Sequence, residues 1–150
     1  MGGRRSWPAG AEPCSVPGVH HVDLVVSSIE RSLPFYRDLL GPLGYHRISE
    51  VVGERGETIW YFGGAGTGLG LREAQTEGDH DRYRVGLHHL ALSAFSRAVV
   101  DERHDWLRSV GAAIESTPQE YAYIPGYYAV FFYDPDGLKL EIVHVPPRAA

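Results

Sequence analysis

A His-His pair opening an alternating apolar run occurs twice in this chain, as His20-His21-Val22-Asp23-Leu24-Val25-Val26 and as His88-His89-Leu90-Ala91-Leu92-Ser93, 68 residues apart. Such a repeat means that one small unit is built twice, and that each copy needs a neighbour for the face it cannot bury alone. A helical pattern follows each pair. In the first copy a Ser27-Ser28 cap leads through Ile29, Leu33, Tyr36 and Leu40 to Gly41, a spacing of three to four residues that lines one helix face. In the second, Ser96 leads through Val99, Arg103, Trp106 and Val110 to Gly111. Pro34 lacks the N–H that a helix interior uses, which predicts a kink or a later helix start there.

Strand patterns complete each unit. Tyr45 to Val52, Thr58 to Phe62 and Leu69 to Glu73 follow the first helix; Ala112 to Ser116, Tyr128 to Tyr133 and Leu138 to His144 follow the second. Asp134-Pro135-Asp136-Gly137 joins the last two as a turn, with proline at its second position and glycine at its fourth. The order strand, helix, three strands, performed twice, predicts an α+β fold. Two βαβββ modules pack around a shared concave sheet cavity, with helices over the outer faces. The expected boundaries are a flexible tail over 1–17, a first module over 18–76, a linker over 77–84 and a second module over 85–146.

Composition narrows the partners. With 14 basic against 19 acidic side chains, a formal charge of −5 and no basic run, neither a nucleic-acid nor an anionic-membrane surface is expected. No apolar stretch approaches the ~20 residues that span a bilayer, and Arg4-Arg5 is followed by no apolar segment of a signal peptide. The one cysteine, Cys14, has no partner within the chain, which fits a reducing interior such as the cytoplasm.

Strand parity singles out three polar residues. Alternate side chains point to opposite faces of a sheet, so Val22, Leu24 and Val26 oppose His21, Asp23 and Val25. Leu90 and Leu92 oppose His89, Ala91 and Ser93, and Leu138, Leu140 and Ile142 oppose Lys139, Glu141 and Val143. The wholly apolar faces suit the helices, which leaves His21, His89 and Glu141 looking into the cavity. Such a set is either ordinary hydrogen-bonding strand polarity or a divalent-metal site. In the second case the metal compensates the desolvation of the carboxylate and leaves coordination positions open. Tyr127, Ala129, Phe131 and Tyr133 share one strand face, and Tyr121, Tyr123 and Tyr127 fall in a Tyr/Pro/Gly-rich loop that reads as a lid. Among the tyrosines, Tyr133 is the candidate catalytic hydroxyl, able to donate a hydrogen bond or act as general acid near a metal.

Taken together, HHVDLVV, SIERSLPFYRDLLG, HHLALS and FFYDPDGLKLEIVH resemble the vicinal oxygen chelate superfamily of glyoxalases, extradiol dioxygenases, fosfomycin-resistance enzymes and bleomycin-resistance proteins, over residues 18 to 145. The resemblance implies metal ligands at His21, His89 and Glu141, the last also a catalytic candidate. It implies a bound Fe, Mn, Zn or Ni ion, a small oxygen-rich substrate, a site-facing Phe131 and pairing into a homodimer. Tyr123, Tyr127 and Phe131 are the candidate substrate contacts. Glyoxalase I-like members take a fourth ligand from the last strand of the first module. Aligning Gly68-Leu69-Gly70-Leu71-Arg72 with Gly137-Leu138-Lys139-Leu140-Glu141 sets Arg72 there, a candidate for holding an anionic substrate group, with Glu73 beside it. The alternative is a non-catalytic protein that sequesters an aromatic drug.

Overall fold

The alternating runs form strands and the three-to-four spacings form helices, in a computed structural model that describes residues 18–64 and 66–147. The 1–17 tail, with Cys14, lies outside the described residues. Strand β1 (His21–Val26) leads into α1 (Ile29–Leu40), whose first turn is capped by the Ser28 hydroxyl accepting from the Arg31 N–H. Helix α1 starts at Ile29 and runs through Pro34, so the later start expected there does not occur; the cap and the buried face of Ser32, Tyr36, Leu39 and Leu40 outweigh one missing backbone bond. A single 3₁₀ turn over Gly41–Leu43 then delivers the chain to β2 (Arg47–Val52), β3 (Thr58–Gly63) and β4 (Gly68–Glu73). The second module repeats the plan with β5 (Leu90–Ser93), α2 (Arg97–Ser109), β6 (Gln119–Glu120), β7 (Tyr128–Tyr133) and β8 (Lys139–His144).

Each module is one four-stranded sheet, ordered β1-β4-β3-β2 and β5-β8-β7-β6. The opening strand pairs in parallel with the closing strand, which requires the helical crossover, and the other neighbours are antiparallel. The strand expected over Ala112 to Ser116 is shorter than its pattern. Ile114 bridges Phe132 alone, and pairing with β7 resumes only at Gln119, two residues out of step, because Pro118 has no N–H to offer the ladder.

One apolar core spans both modules, drawing Leu24, Val26, Leu69 and Leu71 from the first sheet and Leu92, Val130, Leu140 and Ile142 from the second. A polar clamp reinforces it. The Asp134 carboxylate accepts from the Asp136 and Leu138 N–H groups at 2.9 and 2.8 Å, which closes the turn. It also accepts the Tyr36 hydroxyl of α1 at 2.7 Å. Asp136 accepts from the Ser27 N–H at 2.9 Å, the Ser27 hydroxyl and Arg31 Nη2 at 2.7 Å. Burial pushes both the Tyr36 phenol and the Asp134 carboxyl above their ordinary ranges, so the pair is sensitive to solvent exclusion. Gly137 takes φ +81°, which a side chain rarely adopts.

Candidate metal and substrate site

Glu141 sits in the middle of β8, on the face away from the core helices, and is 1% exposed. Its Oε2 lies 3.2 Å from His89 Nε2 and its Oε1 accepts the Tyr127 hydroxyl. A carboxylate this buried is costly to hold as an anion unless donors or a cation compensate it. The ring of His89 is in turn tied to His88, Nδ1 to Nδ1 at 2.8 Å. If His89 donates in that contact, its Nε2 lone pair is directed at Glu141 and free to bind a cation. Desolvation, together with the charges of Lys139 and Arg82, holds the His88 imidazole below its ordinary range, which favours the neutral ring that accepts such a bond. His20 and His21 repeat the contact at 2.8 Å and the same 81° between rings.

A cavity of about 410 Å³ opens over this pair, walled by Tyr121, Tyr123, Tyr127 and Phe131 and floored by His89 and Glu141. The phenol of Tyr127 is pushed up by burial and by the Glu141 carboxylate, so it stays a proton donor. Phe131 stands edge-on to His89 at 6.1 Å. Lys139 Nζ lies 4.8 Å over the Phe131 ring and pairs with Glu115 at 2.9 Å.

The residues lining this cavity all come from the second module, and His21 is not among them. Among the described residues, no three His, Cys, Asp or Glu side chains gather as a metal-binding group within one chain. His21 stands on the corresponding face of the first sheet, edge-on to Tyr61 at 5.5 Å, beside Asp23 and a Val25 that is 62% exposed. The structure thus brings together His89, Glu141, Tyr127, Tyr123 and Phe131, and leaves His21 on a second, open face.

Arg72 and Tyr133 are engaged elsewhere. Arg72 donates to Asp23 at 2.6 Å, Glu57 at 2.8 Å and Glu54 at 3.1 Å. Strand register also moves it from the position that sequence alignment assigns. Asp23 pairs with Gly70 and its counterpart Ala91 with Glu141, so the first-module counterpart of Glu141 is Gly70, not Arg72. The Gly-Leu-x-Leu match aligns residues, whereas pairing with β1 and β5 sets the register; the two differ by two residues, which preserves the face. A Cβ at Gly70 would collide with the Asp23 carboxylate, which fills that space. Glu73 accepts from the Ile29 N–H at 2.9 Å, at the start of α1. Tyr133 donates to Glu115 at 2.9 Å and meets Arg82 at 3.3 Å, so the tyrosine on Glu141 is Tyr127. Sequence parity already put Lys139 and Asp23 on the cavity-facing sides; what it lacked was the pairing with Glu115 and Arg72, which joins residues 24 and 49 positions apart.

Comparison with known proteins bears out the fold. Residues 18–142 match the family model for the Glyoxalase/Bleomycin resistance protein/Dioxygenase superfamily. The uncharacterized protein YqjT of Bacillus subtilis is 32% identical over 129 residues, covering 83% of this chain and 97% of that protein. The metallothiol transferase FosB of Staphylococcus epidermidis is 29% identical over 128 residues, covering 85% and 83%. The crystal structure of a glyoxylase/bleomycin resistance protein/dioxygenase domain from Frankia superposes with a TM-score of 0.71 at 30% identity, covering 88% of this chain and all of that one. Among the described residues, no helix is long and apolar enough to cross a membrane.

Proposed function

We propose, from the premise that this chain belongs to the glyoxalase/bleomycin resistance protein/dioxygenase superfamily, that it is a divalent-metal-dependent enzyme acting on a small oxygen-rich substrate. The observation that carries the reading is the buried Glu141 carboxylate in contact with His89. Imidazole and carboxylate suit Fe, Mn, Zn or Ni, and a cation relieves the desolvation of Glu141. His21, His89 and Glu141 would hold the ion, which when bound supplies Lewis-acid polarisation of substrate oxygens. Because His21 lies on a separate face, the set is completed in a homodimer, with the first-module face of one copy over the second-module cavity of the other. The exposed Val25 and the exposed strand β2 support that pairing. Similarity to FosB, a metallothiol transferase, favours a group-transfer or addition reaction over a redox one. A single cysteine fits a reducing compartment such as the cytoplasm.

The chain's own groups have definite work. Tyr127 holds Oε1 of Glu141 by its hydroxyl and leaves Oε2 toward His89. His88 fixes the His89 ring through Nδ1. Phe131, Tyr121, Tyr123 and Tyr127 face the cavity with ring surface beside the Glu141–His89 pair. The tyrosine cluster favours one second reading, a sequestering protein that binds an aromatic drug without turnover.

Metal content separates the two. Protein purified without chelator is expected to carry one divalent ion per chain, lost in both H21A and E141A. Tight binding of aromatic ligands by metal-free wild-type protein, with affinity undiminished in E141A, overturns the enzyme reading in favour of sequestration.

A further inference from the structure

We propose that His20 and His88 are positioning residues for the rings beside them: each accepts the Nδ1–H of its neighbour, so that His21 and His89 both carry their proton on Nδ1 and present a bare Nε2 lone pair. The inference deepens the reading above and rests on its assignment of His21 and His89 as metal ligands.

The device is built twice to the same dimensions. Nδ1 of His20 lies 2.8 Å from Nδ1 of His21, and Nδ1 of His88 lies 2.8 Å from Nδ1 of His89, with 81° between the rings in both pairs. The chain enters each pair alike, through Gly18-Val19 and Gly86-Leu87, the glycines standing at φ +143° and +138°. Each inner ring also meets an aromatic ring edge-on: Tyr61 at 5.5 Å and 64° for His21, Phe131 at 6.1 Å and 65° for His89. Tyr61 pairs with Gly70 and Phe131 with Glu141, so these two aromatic residues occupy corresponding places in their sheets.

Two neutral ring nitrogens at 2.8 Å share one proton, and comparing the modules indicates which ring owns it. If the outer histidine donated, the inner ring would carry its own proton on Nε2, where it needs an acceptor. In the second module Glu141 Oε2, at 3.2 Å, is such an acceptor. In the first, Gly70 stands in the place of Glu141, and the Asp23 carboxylate is taken up by Arg72. The contact between the histidines is the same in both, so it does not depend on a carboxylate at Nε2. Donation by the inner ring serves both modules, and it is what a ligand nitrogen requires, because a protonated Nε2 cannot bind a cation. The bare Nε2 of His89 and Oε2 of Glu141 are then two lone-pair atoms 3.2 Å apart, a separation that two bonds of about 2.1 Å to one ion can span. An imidazole acceptor fixes this tautomer without adding negative charge beside Glu141.

Ring-nitrogen NMR of isotope-labelled, metal-free protein reads the tautomer, and zinc affinity by competitive chelation reads its use. In the wild type, Nδ1 of His21 and of His89 is expected to be the protonated nitrogen. His20 and His88 are exposed, so their replacement leaves the fold intact. H88F keeps a ring and removes the acceptor: the His89 proton should redistribute toward Nε2 and zinc affinity should fall about tenfold. H88N restores an acceptor oxygen near the place of Nδ1 and should return affinity to within about threefold of wild type. H20F and H20N should act in the same way on His21. Wild-type His21 and His89 protonated on Nε2 overturn the proposal. So does zinc affinity in H88F and H20F equal to that of wild type, and so does H88N as impaired as H88F. Failure of the metal reading appears separately, as wild-type protein that takes up no zinc while the Nδ1 tautomer and its redistribution in H88F stand.

Discussion

Replacing Tyr36 by Phe removes one oxygen and should cost the molecule a measurable part of its stability. The ring of Tyr36 is fully buried against the shared core, and its hydroxyl donates at 2.7 Å to an Asp134 carboxylate belonging to the other module. Phenylalanine fills the same space, so no cavity opens and the loss is that of one buried hydrogen bond to a charged group. Such bonds contribute about 1.5–3 kcal/mol, and in a domain of this size 1 kcal/mol moves Tm by about 2–4 °C, so Y36F should melt roughly 3–12 °C lower at neutral pH. The pH dependence gives a second, sharper readout. The folded Asp134 carboxyl lies above its ordinary range, chiefly through burial, and the Tyr36 hydroxyl acts against that shift. A raised folded value means that the associated stability is full below the unfolded value and is lost as pH rises through the folded one. Without the donor the folded value climbs further and the loss toward neutrality grows. The gap in Tm between wild type and Y36F should therefore widen from about pH 4.5 to about pH 7.5. Calorimetric scans at both ends test it; a gap below about 1 °C at neutral pH, or one that narrows with rising pH, refutes the role assigned to this contact.

Other consequences concern the site and the turn. Mixing H21A with E141A should restore about a quarter of wild-type activity or metal content, because half of the dimers are mixed and each holds one of two sites intact; no recovery after subunit exchange excludes a site shared between copies. Y127F should weaken metal affinity about tenfold by freeing Glu141 Oε1, as read by competitive chelation, since its raised phenol keeps the wild-type donor protonated throughout that assay. G137A should lose about 1–2 kcal/mol in denaturant titration from its positive φ alone, because no atom lies within 4 Å of the added Cβ.

The sequence was most legible where physics is local. Two His-His pairs, capped helical stripes and the Asp134-Pro135-Asp136-Gly137 turn all act within a few residues, and the α+β plan of two βαβββ modules followed from them. Parity found the cavity-facing sides, because a two-residue period survives small errors of register. For the same reason it could not tell Arg72 from Gly70 as the counterpart of Glu141, which only the hydrogen-bonded ladder decides. Pro118 shortened an edge strand that apolar spacing alone extended over Ala112 to Ser116. Contacts that join distant stretches left no pattern: Tyr36 reaches Asp134 across 98 positions, and Arg72 collects partners from two separate segments, β1 and the β2–β3 turn. The distance between His21 and the His89–Glu141 pair belongs to the packing of whole sheets, which no window of sequence encodes.

The helix-to-turn clamp has a wider implication. Tyr36, Asp134 and Asp136 lie in the stretches that make this chain most recognisable, yet they join the halves and touch nothing in the aromatic hollow. Kinship here is written in the joinery. Descendants of such a scaffold are free to exchange the side chains lining the hollow, and with them the molecule acted upon, while the bolted frame goes on advertising the same ancestry.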